Sequence, residues 1–207
     1  NQNLYGVDLS PESVEITKLS LWLKTAERGK QLTYLDDNIK VGNSIIADPT
    51  VAPRAFDWQA EFADVFADGG FDVVIGNPPY VRQELLSPFK PYLETHYASY
   101  DGVADLYVYF YEKGLNILRP NGILSYIVTN KWLRAGYGEP LRKFFAENSV
   151  FEQIIDFGHA PIFEDADVFP CIVAVRKPII EEINESDEIE SSHPVRVCPV
   201  PREHLEN

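Results

Sequence analysis

The tetrapeptide Asn77-Pro78-Pro79-Tyr80 places an amide, a backbone carbonyl without a neighbouring N–H, and an aromatic ring within four residues. It follows Phe71-Asp72-Val73-Val74-Ile75-Gly76, whose apolar run between Gly69-Gly70 and Gly76-Asn77 predicts a short buried strand over 72–75. Two prolines directly after a strand remove ladder donors and hold the backbone extended, so the turn should be stiff. Two acceptors and a stacking face at a sheet's carboxyl edge suit a planar base that carries an exocyclic amine. A plain surface turn is the alternative, since Asn and Pro are common turn formers.

That chemistry needs elements to position it, and the rest of the chain alternates strands with helices. Leu4-Tyr5-Gly6-Val7-Asp8 reads as a strand ending in an acid. Ser10, Pro11 and Glu12 then open a helix whose expected apolar stripe is Ile16, Leu19, Leu23 and Ala26. Ile39 to Asn43 forms a second strand, and residues 47–68 are loop-like with a short aromatic helix near Trp58 to Phe66. Leu85 to Tyr100, rich in Pro and Tyr, reads as a lid-like insertion. A helix over Asp105 to Leu118 ends at the turn Arg119-Pro120-Asn121-Gly122, before a strand over Ile123 to Val128. A helix over Pro140 to Asn148 precedes the closing strands Phe151 to Phe157 and Cys171 to Arg176. Strands separated by helices predict an α/β, doubly wound, mostly parallel sheet with helices on both faces. The last two strands lack an intervening helix, which predicts an antiparallel pair at one edge.

In such folds ligands lie beyond the carboxyl ends of the strands, so Asp8, Asn43 and Asn77 are expected to converge on one cleft. A carboxylate at the position of Asp8 commonly accepts hydrogen bonds from both hydroxyls of a ribose; capping near Ser10 is its other role. Asn43 has an amide able to meet an adenine edge, with a turn after Gly42 as the simpler account.

Bulk properties narrow the classes. The chain has 207 residues, 45% hydrophobic and 13% aromatic, enough for a sizeable core. No apolar stretch approaches the roughly 20 residues that cross a bilayer. With its two cysteines in no metal-type spacing, a cytoplasmic setting is expected. A net charge of −14 argues against nucleic-acid binding through bulk electrostatics. It leaves room for a catalytic domain whose grip comes from a separate basic domain. Residues 178–207 carry eight carboxylates against Arg196 and Arg202, so this stretch reads as an acidic linker and the start of a following module. Residues 1–177 then form the catalytic unit. The four histidines (His96, His159, His193, His204) have no ligand spacing, and no metal site is expected.

Taken together, Leu4 to Asp8, Gly42-Asn43-Ser44 and Phe71 to Tyr80 resemble the gamma class of N6-adenine DNA methyltransferases. The likeness is greatest to the methylase part of fused type II restriction-modification enzymes. Ala104 to Tyr107, Asn121 to Leu133, Leu141 to Phe145, Ile154 to Phe157 and Phe169 to Ala174 are similar to that family in order and spacing. The resemblance implies a Rossmann-like fold, S-adenosylmethionine as cofactor and duplex DNA with a flipped adenine as substrate. It implies catalytic roles for Asn77, Pro78 and Tyr80. Asp8, Asn43 and Asn77 would contact cofactor, while Tyr80 and Phe169 would wall the base. Asp105 and Tyr107 fall in the stretch that borders the pocket.

There are two departures from the family. Its glycine-rich cofactor loop lies just upstream of the segment that begins at Asn1, so the first central strand is expected to be missing here. An upstream loop region and a downstream specificity module of a longer chain are the implied partners, and a second copy is a further candidate. Asn43 stands where many relatives carry Asp, and its amide oxygen is expected to accept the adenine amine more weakly. Methylation of a protein glutamine or an RNA base amine is the enzymatic alternative. A remnant that binds DNA or a partner without turnover is the other.

Overall fold

A computed structural model describes residues 3–26, 34–158, 169–179 and 196–199. The chain divides into two compact units, residues 1–62 and 63–207.

The first unit is built on two parallel strands, β1 (Gly6–Asp8) and β2 (Ile39–Val41), joined through helix α1 (Pro11–Thr25). Ser10 caps α1 by accepting from the Ser13 N–H at 3.1 Å, and Pro11 occupies the first turn, where its missing N–H costs nothing. The helix turns Val14 into a small core with Leu35 and Ile39, joined by Leu21 and Trp22. Lys18 lies on the same face. Its stem is buried, and its ammonium pairs with Glu15 at 3.0 Å and with Asp36. The expected stripe is therefore not the buried one: Ile16, Leu19 and Leu23 are exposed. Apolar residues occur on several sides of α1, so periodicity alone could not choose the face that meets the strands.

After β2 the chain closes on an aromatic cluster. Phe56 lies 5.4 Å from the ring of Trp58 in helix α2 (Trp58–Glu61) and 5.7 Å from Phe62, while Tyr5 meets Phe62 edge-on at 5.2 Å. Such pairs contribute about 0.5–1.5 kcal/mol each beyond burial. A Cβ on Gly42 would sit 2.3 Å from Phe56, so only glycine permits this approach.

The second unit opens with helix α3 (Ala63–Ala67) and strand β3 (Phe71–Gly76). Its elements continue with α4 (Lys90–His96), α5 (Tyr107–Asn116), β4 (Leu118–Thr129), α6 (Glu139–Asn148), β5 (Val150–Asp156), β6 (Pro170–Arg176) and β7 (Arg196–Pro199). They form a five-stranded sheet in the order β3-β4-β6-β5-β7. β3–β4 and β5–β7 are parallel, whereas β6 runs antiparallel to both β4 and β5. The antiparallel strand is thus interior to this sheet, not at its edge. β7, which composition assigned to a following module, pairs with β5.

Two strand expectations are corrected. β3 is the edge strand, paired among the described residues only with β4, so Val73 and Ile75 are 57% and 76% exposed rather than buried. An apolar run does not report how many of a strand's sides are covered. β4 also runs through the predicted turn. Asn121 adopts φ +64°, and the register jumps from Phe71↔Leu118 to Val73↔Ile123, so the turn residues become an irregularity within one strand. The lid-like segment is a 3₁₀ turn over Gln83–Phe89 followed by α4.

Helices α5 and α6 supply the core of this unit. Tyr111 packs 5.5 Å from both Tyr126 and Trp132 and 5.2 Å from Phe145, and all four are buried. Glu112, also buried, accepts from the Ala98 and Ser99 amides at 3.0 and 2.7 Å and so fixes the turn after α4. Among the described residues no helix is long and apolar enough to cross a membrane.

Burial holds the phenols of Tyr97, Tyr107, Tyr109, Tyr111 and Tyr126 protonated well above their usual value of 10.0. The unfolded chain sheds these protons near 10.0 while the folded chain keeps them. Their contribution is therefore full below that pH and is lost as pH rises beyond it. In an alkaline titration the tyrosinate absorbance of the buried phenols should rise together with loss of far-UV circular dichroism. Ionisation of all tyrosines with the dichroism intact would contradict the packing.

Candidate functional site

The ladder between β3 and β4 ends at Gly76↔Tyr126, and the chain leaves the sheet as Asn77-Pro78-Pro79-Tyr80. Asn77 is exposed, and its side-chain amide has no hydrogen-bond partner among the described residues; Pro78 is buried beside it. A stiff turn thus carries an unengaged amide past a sheet's carboxyl edge.

The far side of the turn is tied down. The Leu106 N–H donates to the Val81 carbonyl at 2.9 Å, and the Gln83 N–H donates to Asp105 Oδ1 at 3.1 Å. Tyr80 is 41% exposed and lies 6.1 Å from the ring of Tyr107, tilted by 53°. Burial of its hydroxyl and the nearby Cys171 push the Tyr80 phenol up, partly offset by a hydrogen bond from the Thr129 backbone. Tyr107 is buried in turn, and its hydroxyl pairs with that of Tyr137 at 2.8 Å. Phe169 lies at the same end of the sheet: its carbonyl accepts from the Asn130 N–H at 2.7 Å, directly after β4. The Asn130 side chain donates to Asp156 Oδ1 at 2.9 Å, joining the ends of β4 and β5.

Burial pushes the Cys171 thiol up to about 12, which the neighbouring Trp132 indole only partly offsets. A thiol held protonated at neutral pH is no nucleophile. No cluster able to hold a metal ion occurs among the described residues.

In the first unit, Asp8 and Asn43 stand at adjacent strand ends, where the Gly42 N–H donates to the Asp8 carbonyl at 2.9 Å. The exposed Asp8 carboxylate accepts from the Ser10 N–H at 2.8 Å through Oδ1, which leaves Oδ2 available. Asn43 closes an Asx turn: Oδ1 accepts from the Ile45 and Ile46 amides, both at 3.1 Å. Asn43 therefore carries the turn role that was its simpler account, and Asp8 the local role near Ser10 that was its alternative, each with hydrogen-bonding capacity to spare. A carboxylate and an amide at neighbouring strand ends match the diol and base edge of an adenosine group, so the residues present fit that part of such a cofactor.

The structure brings Asn77, Pro78 and Tyr80 into one turn, with Phe169 at the carboxyl end of β4, and Asp8 and Asn43 into another local group. Tyr137 was missed as a positioning group, and Asp105, placed beside the pocket by the family resemblance, was not expected to hold the turn. Only the tripeptide Gly136-Tyr137-Gly138 hinted at the former, because a tyrosine between glycines has little local packing to justify it. The latter depends on a contact across 22 residues.

The fold is that of class I S-adenosylmethionine-dependent methyltransferases. It is similar to the EcoKI M protein of a type I restriction enzyme (TM-score 0.57, 16% identity, 98% of this chain and 39% of that one). It also resembles the protein of the DrdV–DNA complex (TM-score 0.67, 15% identity, 100% and 22%). Residues 2–163 match the Eco57I restriction-modification methylase family, and the chain belongs to it. It is 29% identical over 188 residues to the type II restriction enzyme and methyltransferase RM.Eco57I of Escherichia coli, covering 84% of this chain and 19% of that protein. It is 38% identical over 114 residues to the type II methyltransferase M.XhoI of Xanthomonas vasicola, covering 52% and 20%. The chain thus spans about a fifth of these relatives.

Replacing Asp105 with alanine should free the leg of the turn after Tyr80. Hydrogen exchange at the Gln83 amide should speed up about tenfold or more, the effect of losing a hydrogen bond to a charged acceptor. Unchanged protection at Gln83 would show that the carboxylate does not hold this leg.

Proposed function

We propose that this chain is the catalytic part of a DNA adenine-N6 methyltransferase within a restriction-modification enzyme, with S-adenosylmethionine as methyl donor. The observation that carries the reading is the unengaged amide of Asn77 on a proline-stiffened turn, beside the half-open ring of Tyr80. Membership of the Eco57I methylase family and the relatives' names support methyl transfer within a restriction-modification system.

The nitrogen to be methylated is a poor nucleophile, because its lone pair is delocalised into the purine ring. Asn77 Oδ1 and the Pro78 carbonyl accept hydrogen bonds from its two N–H groups and draw it toward tetrahedral geometry. The lone pair localises, and positive charge developing on nitrogen faces two acceptor oxygens. The prolines hold the Pro78 carbonyl and the backbone that carries Asn77 before the substrate arrives, so little backbone reorganisation is needed. The cofactor, when bound, supplies an electrophilic methyl group on sulfur; Asp8 and Asn43 would hold its adenosine part. No strong base is required, and none stands in the turn.

N6 is inaccessible within stacked duplex DNA, so the base must leave the helix. Tyr80, braced by Tyr107 and Tyr137, offers a stacking face, a contact of about 1–3 kcal/mol. Phe169 forms the second aromatic wall. The acidity of the chain, net −14, assigns most of the grip on the phosphate backbone to other parts of the enzyme.

In the full-length protein, Asn77→Ala should abolish methyl transfer to duplex DNA while cofactor binding, measured by calorimetry, changes little. Tyr80→Ala should instead weaken capture of the extruded base, read from the fluorescence of 2-aminopurine at the target position. Normal methylation by Asn77→Ala would sink the mechanism.

A further inference from the structure

Asn43 has a fixed polarity. Its Oδ1 accepts from the N–H groups of Ile45 and Ile46 at 3.1 Å each, which uses both lone pairs of the amide oxygen. Two N–H donors cannot face an NH₂ group, so the assignment of oxygen and nitrogen ends is dictated by chemistry. The residue cannot easily turn over. Its own N–H donates to the Arg54 carbonyl at 2.6 Å, Gly42 before it is locked against Phe56, and Ile45 and Ile46 are buried. The Nδ2 end has no hydrogen-bond partner among the described residues, and the side chain is only partly buried. What Asn43 has left to offer a ligand is a donor.

Resting on the cofactor reading above, we propose that Asn43 recognises the cofactor's adenine by donating from Nδ2 to a ring nitrogen, not by accepting from the exocyclic amine. Adenine presents an N–H₂ donor at C6 and acceptor nitrogens around its rings. An acidic residue at this place can only accept, and so would choose the amine. Asn43, with its oxygen occupied by the turn, meets the opposite kind of atom. Asp8 lies on the adjacent strand end with one carboxylate oxygen available for the ribose diol. The two neighbouring side chains thus divide the adenosine: an acceptor for the sugar's hydroxyls, a donor for the base. The Asn in place of Asp is then a change in the atom recognised, rather than a weaker version of the same contact.

Asn43→Asp separates the two accounts. Aspartate preserves the Asx turn, since its carboxylate accepts from the same two amides, and it exchanges the donor for a charged acceptor. Titrating S-adenosylmethionine calorimetrically into the full-length protein, the variant should bind about tenfold or more weakly, at an unchanged melting temperature without ligand. Equal or tighter binding by the variant would overturn the proposal, because acceptance from the amine would gain from a carboxylate. A second arm needs no variant. S-adenosylhomocysteine analogues in which N1, N3 or N7 is replaced in turn by carbon should include one that the wild-type protein binds at least about tenfold more weakly than the parent. Full affinity for all three would also overturn it. Failure of the wild-type protein to bind S-adenosylmethionine at all would instead remove the cofactor reading itself.

Discussion

The functional reading of the second unit depends on where the ladder between β3 and β4 stops. Pairing runs as far as Gly76↔Tyr126, and two of the next three residues, Pro78 and Pro79, have no N–H with which to continue it. The chain must leave the sheet there, and the restricted dihedrals of proline give it few ways to do so. Asn77 and Tyr80 are carried past the edge by a backbone that has little freedom left to lose. That matters for electrostatic catalysis, in which acceptors already in place cost no reorganisation when charge develops.

A stiff turn is useful only if it is aimed, and the aim comes from the elements behind it. Leu106 and Asp105 hold the backbone just beyond Tyr80, while Tyr107, on the first turn of α5, lies beside its ring. Helix α5 is in turn fixed by burial of Tyr107, Val108, Tyr111 and Leu115, side chains of a size worth about 1.5–3 kcal/mol each when removed from water. The hydroxyl pair Tyr107–Tyr137 ties α5 to the loop after β4, and Asn130–Asp156 ties that loop to β5. Core packing and positioning of the site are therefore the same set of contacts. The aromatics on α5 serve as core first, and as support for the site through being core.

The first unit follows a different logic, in which Asp8 and Asn43 each serve the neighbouring backbone. Asp8 accepts from the amide that opens α1, and Asn43 accepts from two amides that open the loop after β2. These local bonds freeze the rotamers and set which atoms face outward. The carboxylate keeps an acceptor, and the carboxamide keeps a donor. Turn formation and ligand recognition compete as explanations of a residue in a sequence, yet here the turn occupies one end of each side chain and leaves the other end uncommitted.

Local chemistry was legible in the residues themselves. The cap at Ser10-Pro11, the stop at Pro78-Pro79, the alternation of strands with helices and the array shared with the methyltransferase family all follow from neighbours in sequence, because dihedral preferences and turn donors act over a few bonds. The exposed face of α1, the edge position of β3 and the passage of β4 through Asn121-Gly122 did not. Each depends on which distant segment lies alongside, and an apolar run such as 72–75 reads the same whether one edge is paired or two. The polarity of Asn43 belongs to the same group. The sequence determined that an amide stands after β2. Only the tertiary structure, by presenting two amides to its oxygen, decided that its free end is a donor.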